Sequence, residues 1–91
     1  MHIEALEIDD YILEKIKSKH GVTFEEAEEA CLSEGRHVRC GKEGLYKVFN
    51  QIFGRYLLVV LANKGNGIWQ IVTAREMSSS EKKLYDKVMG R

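Results

Sequence analysis

The segment YLLVVLANKGNGIWQIVTARE, residues 56–76, sets the architecture of the chain. Its opening part, residues 56–62, is a continuous apolar run rich in leucine and valine, which is typical of a central strand covered on both faces. The turn-forming sequence NKGNG follows it, and residues 68–76 predict the next strand. We therefore expect an antiparallel hairpin at the centre of a sheet.

The flanking segments predict two more strands and three helices. Residues 36–40 form a short mixed strand and residues 45–53 a longer, half-buried one, both preceding the hairpin. Apolar side chains at helical spacing predict helices over residues 9–19 and 24–33, and a third helix after Ser78 that closes the chain.

Capping chemistry defines the helix boundaries. Asp9 and Asp10 are expected to accept free amide hydrogens of the first helix, and Gly21 suits its left-handed C-cap. Thr23 and Ser78 are each followed three residues later by glutamate, which is the spacing of a capping box.

The order of these elements predicts the fold class. Two N-terminal helices, four strands with short links and a C-terminal helix are typical of a small α+β domain with a four-stranded antiparallel sheet. The length of 91 residues allows one domain, residues 1–91.

The composition is that of a soluble globular protein, with 44% hydrophobic and 31% charged residues. No apolar run approaches the roughly 20 residues that span a bilayer. The N-terminus lacks the basic start of a secretory signal, so we expect a cytoplasmic protein without a membrane partner. Cys31 and Cys40 have neither zinc-site nor redox-motif spacing and are expected to be free thiols.

The charges are unevenly distributed along the chain. Residues 1–34 carry a net charge of −7 and residues 35–91 a net charge of +7, although 14 basic and 14 acidic side chains balance overall. Such asymmetry predicts either a surface for a polyanion or two oppositely charged faces that pair with each other.

No local catalytic signature is present. The sequence lacks a phosphate-binding glycine loop, HExxH, GxSxG and a dinucleotide fingerprint, so neither a cofactor nor a metal ion is expected. What remains is a set of cationic and imidazole side chains at the end of the first helix and on the predicted strands: Lys19, His20, Arg36, His37, Arg39, Lys47, Arg55 and Arg75. Strand alternation places His37 and Arg39 on one face and Arg36 on the other.

Alternation in the last strand places Trp69, Ile71, Thr73 and Arg75 on one face. Arg75 is therefore expected where that sheet surface ends, and its planar guanidinium can fork onto a phosphate. The alternative is a salt bridge to Glu76 or Glu81.

Structural alternatives exist for three further candidates. His20 precedes Gly21 and can lie near the last carbonyl groups of the first helix. Lys19 can be a solvated charge at the helix end, and Tyr85 can be a core residue of the last helix.

Three segments carry a family resemblance. Residues 19–27, KHGVTFEEA, resemble the KHGVSFEEA stretch of the BrnT family, the toxins of type II toxin–antitoxin pairs. Residues 71–75, IVTAR, followed by Ser80-Glu81 and Tyr85, resemble the ISAR…RE…Y ending of that family, and residues 54–60, GRYLLVV, resemble its central strand. The resemblance implies a RelE-like fold.

The resemblance also implies a function. Members of the family are metal-independent endoribonucleases that cleave RNA and stop translation, and a ribbon-helix-helix antitoxin that binds DNA holds them inactive. It implies a toxin–antitoxin heterotetramer, while a homodimer and action on the ribosome stay open.

Under this hypothesis, a ribose 2′-OH attacks the adjacent phosphodiester, which requires a base, an acid and cations. Arg75 is then assigned to the scissile phosphate. Lys19 or His20 and Arg39 or His37 supply the remaining charge and proton transfer, and Tyr85 is a lesser candidate. These side chains must converge on one patch. The alternative function is a non-catalytic module whose basic surface docks an acidic or helical partner.

Overall fold

The computed structural model describes residues 1–91 and contains a five-stranded mixed sheet with helices on both faces. In chain order the elements are β1 Ala5–Glu7, α1 Asp10–His20, α2 Phe24–Leu32, β2 His37–Cys40, β3 Leu45–Ile52, β4 Arg55–Gly65, β5 Ile68–Glu76 and α3 Ser79–Val88. A single 3₁₀ turn, Lys42–Gly44, joins β2 to β3. The strand order is β1-β5-β4-β3-β2. The α+β class and the three helices are as predicted.

The sheet has one strand more than the sequence predicts. β1 pairs in parallel with β5, with Ala5 opposite Ile68. The four predicted strands are antiparallel to one another as expected, but this fifth strand makes the sheet mixed. The amides of Glu4 and Ala5 donate to the carbonyl of Gly67 at 2.8 and 3.3 Å. The sequence could not predict β1, because a strand of three residues has no detectable period and its partner, β5, lies far away along the chain.

The central hairpin is confirmed, and its turns are tighter than predicted. β4 continues to Gly65, and a two-residue turn with positive φ at Asn66 (56°) and Gly67 (77°) leads into β5. β3 ends at Ile52, because Phe53 and Gly54 form a second turn of this kind, with φ of 52° and 77°. Positive φ at both central residues is the requirement of a type I′ turn, whose twist matches paired strands.

The predicted caps are confirmed at three of the four helix ends concerned. Thr23 and Ser78 both form complete capping boxes with the glutamates three residues later. Gly21 ends α1 in the left-handed conformation, with φ 65°. Asp9 is the N-cap of α1, but its side chain makes no capping hydrogen bond, so that expectation is wrong.

Two apolar cores lie on opposite faces of the sheet. The larger lies under α1 and α2 and contains 13 buried residues, among them Ile16, Ala27, Val59 and Ile71. The smaller lies under α3 and consists of Phe49, Leu58, Met77 and Tyr85. Successive residues of β4 therefore enter different cores, which explains its uninterrupted apolar run.

A β-bulge in β5 changes the face of its C-terminal half. Ile71 pairs with Leu61 and Thr73 with Val60, so Val72 has no partner on β4. Ile71 and Ala74 consequently lie in the same core, although simple alternation would separate them. The prediction that Arg75 shares a face with Trp69 and Ile71 is therefore wrong, and Arg75 lies on the α3 face.

Both cysteines are free thiols, as expected. Burial raises the pKa of Cys31 to about 12. None of the three helices is long and apolar enough to cross a bilayer.

Candidate functional site

A cleft of about 270 Å³ opens on the α3 face of the sheet. Its walls come from three elements and the loop after β2: His37, Arg39, Cys40 and Gly41; Lys47 and Phe49 of β3; Glu81, Leu84 and Tyr85 of α3. Phe49 is buried and forms an apolar floor, while two of the strand residues that line the cleft are exposed cations. The cleft thus combines an apolar base with a charged rim, which is the usual composition of a ligand site.

Arg39 and Lys47 lie directly opposite each other on β2 and β3. Neither takes part in any of the four ion pairs of the structure. Like charges in directly paired cross-strand positions destabilise a sheet. A bound anion would offset that repulsion, so this pair favours a negatively charged ligand.

His37 lines the same cleft, two residues before Arg39 on the same face of β2. Its ring lies 6.2 Å from that of Phe49, centroid to centroid, with the planes tilted by 33°. Its Nε2 atom is buried and has no hydrogen-bond partner. A buried nitrogen without a hydrogen-bond partner costs roughly 1–3 kcal/mol, and a ligand reaches this atom only if the ring moves.

Arg75 lies at the far end of the cross-strand row that starts at His37. The row runs through Phe49 and Leu58, so three strand spacings separate its ends by about 14 Å. The guanidinium of Arg75 donates two parallel hydrogen bonds to Glu81, of 2.8 and 3.0 Å, and a third to the backbone carbonyl of Glu76 at 3.0 Å. The salt-bridge alternative for Arg75 is therefore present, with Glu81 as the partner.

The bidentate Arg75–Glu81 pair is called the fork below. Glu81 connects it to the cleft and to the start of α3. It lines the cleft, and its Oε1 also accepts the amide of Ser78 at 2.8 Å. The hydrogen bonds from Arg75 lower the pKa of Glu81 to about 2, because they stabilise the carboxylate against the effect of its burial. Hydrogen bonding to Glu81 raises the pKa of Arg75 correspondingly.

Tyr85 contributes its ring to the cleft but directs its hydroxyl into the protein. The hydroxyl lies within hydrogen-bond distance of the carbonyl of Gly35 and of Oδ1 of Asn50. Asn50 in turn donates to carbonyl groups at the end of α2. Tyr85 is buried, so its contacts are those of a core residue of α3, as in the structural alternative given above.

Lys19 and His20 do not line the cleft. They end α1, which packs on the opposite face of the sheet. Lys19 is exposed and His20 is half-buried. The nearby cation Arg55 binds the carbonyl of Gly21 and the carboxylates of Glu26 and Glu76. The structure therefore brings together only part of the predicted set, namely His37, Arg39, Tyr85 and, through Glu81, Arg75.

Sequence reasoning named Lys47 and Glu81 but did not assign either residue to the site, although both line the cleft. Lys47 alternates onto the same face as His37 and Arg39 only once the pairing of β2 with β3 is known. Glu81 was expected as a capping residue and as one of two possible salt-bridge partners of Arg75, but its place in the cleft was not predicted. No group of three or more His, Cys, Asp or Glu side chains is arranged to hold a metal ion.

The layers and the cleft define a small α+β domain in which one helix covers a cation-lined sheet face. No protein-family model and no curated protein matches the chain. Among solved structures, it is similar to the Brucella abortus ribonuclease toxin BrnT, with a TM-score of 0.69 and 17% sequence identity. The match covers 82% of this chain and 97% of that chain. The chain therefore has a BrnT-like fold, and the resemblance seen in the sequence is confirmed at the level of the fold.

Proposed function

We propose that the chain is the toxin of a type II toxin–antitoxin pair and acts as a metal-independent endoribonuclease that cleaves mRNA in the cytoplasm and stops translation. The BrnT-like fold supports this proposal. One observation carries the proposal. Arg39 and Lys47 lie opposite each other without carboxylate partners, at the rim of a cleft that also contains the imidazole of His37. Two adjacent cations without carboxylate partners suit a phosphodiester backbone.

Four residues of the cleft and the neighbouring Arg75 each have a distinct part in this proposal. Arg39 and Lys47 hold the RNA backbone and neutralise charge that grows on the phosphorus as the 2′-oxygen attacks. His37 acts as the general acid that donates a proton to the leaving 5′-oxygen. Arg75 binds the scissile phosphate, and Tyr85 positions the cleft wall through its hydrogen bonds. Lys19 and His20 take no part in this step, because they pack on the other face of the sheet.

The partner that fits this proposal is a ribbon-helix-helix antitoxin that covers the cleft until it is degraded. An antitoxin could pack against this side of the protein, because Leu84 and Val88 of α3 expose apolar surface there. We propose a toxin–antitoxin heterotetramer as the resting assembly.

The test is induction of the chain alone in bacterial cells, followed by primer extension on cellular RNA and by cleavage of a defined RNA with and without ribosomes. We expect growth arrest and cleavage by the wild type, and loss of both in the Arg39→Ala/Lys47→Ala double variant. Lys64→Ala is the matched control, because this exposed lysine lies outside the cleft near the β4–β5 turn. Unchanged RNA under every condition would exclude the nuclease and leave the alternative, a non-catalytic module that docks an acidic or helical partner.

A further inference from the structure

The carboxylate of Glu81 is the one acidic group that lines the cleft. We propose that Glu81 is the general base of the reaction and that the incoming phosphodiester frees it by replacing it on Arg75. This inference rests on the proposed ribonuclease function and names the group that takes the proton of the ribose 2′-OH.

The geometry of the fork supports an exchange of this kind. Arg75 holds both oxygens of Glu81 through parallel hydrogen bonds of 2.8 and 3.0 Å. A guanidinium donates two parallel hydrogen bonds to two phosphate oxygens in the same bidentate arrangement. The carboxylate therefore occupies the place that a phosphate needs, and a phosphate bound there lies next to the displaced carboxylate.

The surroundings of Glu81 determine how basic it becomes. The charged, titratable and hydrogen-bonding groups that face it or share its cleft are the Arg75 guanidinium, the Ser78 amide, His37, Arg39, Cys40, Lys47 and Tyr85. Hydrogen bonding to Arg75 is the largest cause of its low pKa. When a phosphate takes over those hydrogen bonds, this cause is removed, and the pKa of Glu81 moves back up towards that of an ordinary carboxyl group.

The step balances without a further reactant. The carboxylate of Glu81 accepts the proton of the 2′-OH, and the 2′-oxygen forms a bond to phosphorus. The bond between phosphorus and the 5′-oxygen breaks, and protonated His37 gives its proton to that oxygen. The products are a 2′,3′-cyclic phosphate and a free 5′-OH. At the end of the step Glu81 is protonated and His37 is neutral.

Glu81→Gln tests the proposal without removing the helix cap. Glutamine can still accept the Ser78 amide, because either residue type completes a capping box. The matched control is Glu76→Gln, which removes the neighbouring carboxylate on the opposite face of β5 that binds Arg55. The probes are a short RNA oligonucleotide for cleavage and its 2′-deoxy counterpart, which cannot be cleaved, for binding.

We expect Glu81→Gln to lower kcat by about 100-fold or more and to abolish the acidic limb of the pH–rate profile. It should bind the 2′-deoxy oligonucleotide at least as tightly as the wild type, because Arg75 is more readily released. Glu76→Gln should keep the wild-type rate and profile.

Two failures are distinguishable. If the wild type cleaves RNA and Glu81→Gln is equally or more active with both limbs retained, Glu81 only blocks Arg75 and the base assignment is overturned. If the wild type binds the oligonucleotide but cleaves no RNA, the ribonuclease function fails and the base assignment fails with it.

Discussion

The hydroxyl of Tyr85 on α3 lies 3.2 Å from Oδ1 of Asn50 on β3, inside the protein. Asn50 is the only buried polar residue, at 1% exposure. Its amide nitrogen lies 3.0–3.4 Å from the carbonyl oxygens of Ala30, Ser33 and Glu34. This pair joins the end of α2 on one face of the sheet to α3 on the other, and it holds the helix that forms one wall of the cleft.

Removal of the Tyr85 hydroxyl should weaken this junction. Tyr85→Phe leaves the Gly35 carbonyl without its hydrogen bond of 2.7 Å and should lower the free energy of unfolding by about 1–2 kcal/mol. Denaturant titration measures this loss, and RNA cleavage measured well below the unfolding midpoint should stay within about threefold of the wild type. A larger loss of cleavage in the fully folded variant would show that the reaction depends closely on how this hydroxyl positions α3.

Asn50→Asp should be more damaging than Tyr85→Phe, although it keeps the shape of the side chain. A carboxylate cannot donate to the carbonyl groups that Asn50 now binds, and its burial is costly, so we expect a loss of roughly 2–4 kcal/mol at neutral pH. Burial raises the folded-state pKa of such a carboxyl above its unfolded value, so the deficit should shrink as the pH falls towards about 4. Unfolding curves at neutral and acidic pH check both signs, and a deficit that grows in acid would contradict this account.

Gly67→Ala should destabilise the chain more than Gly54→Ala. Both glycines have φ of 77° in two-residue turns, so both substitutions cost about 1–2 kcal/mol in backbone strain. At Gly67 the added Cβ would also lie 2.6 Å from Cγ of Glu4, whereas at Gly54 it meets nothing within 4 Å. We expect an extra loss of roughly 1–3 kcal/mol at Gly67, because Glu4 directly precedes β1 and must move. Equal unfolding midpoints for the two variants would show that this segment shifts without a measurable cost.

Local sequence patterns predicted most of the fold because they report local physics. The capping boxes at Thr23 and Ser78 and the run at 56–62 depend on neighbouring residues. β1 depends on pairing with a strand at the other end of the chain. The bulge at Val72 depends on the register between β4 and β5, and a single extra residue reverses every side chain that follows it.

The site was predicted less completely than the fold for the same reason. His37 and Arg39 were correctly placed on one face, because alternation within a strand is local. Only the family resemblance assigns Lys19, His20 and Arg75 to one catalytic site, and the sheet separates the first two from the cleft. The Arg39–Lys47 opposition depends on cross-strand register, which no spacing along the chain reveals.

Acid should reveal the strength of the Arg75–Glu81 fork. Because the folded-state pKa of Glu81 is lowered from 4.5 to about 2, its stabilisation is fully present above about pH 4.5 and is lost as the pH falls through 2. The pair is partly exposed, at 38% and 23%, so we expect about 1–2 kcal/mol after solvent screening. Unfolding free energies of the wild type and Glu81→Gln should differ at neutral pH and converge in acid. A constant difference would show that the charge of Glu81 adds no stability and would assign the loss to its other contacts.

The salt dependence of RNA binding should identify the cations that contact the backbone. For single-stranded nucleic acid, each neutralised phosphate contributes about −0.7 to the slope of log K against log salt concentration. Arg39→Ala and Lys47→Ala should each reduce the magnitude of that slope by about 0.7, and the double variant by about 1.4, when a 2′-deoxy oligonucleotide is titrated at several salt concentrations. Lys64→Ala removes the same charge outside the cleft and should leave the slope unchanged. Equal slopes for all four variants would mean that bulk charge attracts the nucleic acid, and the opposed pair on β2 and β3 would then have no specific part in binding it.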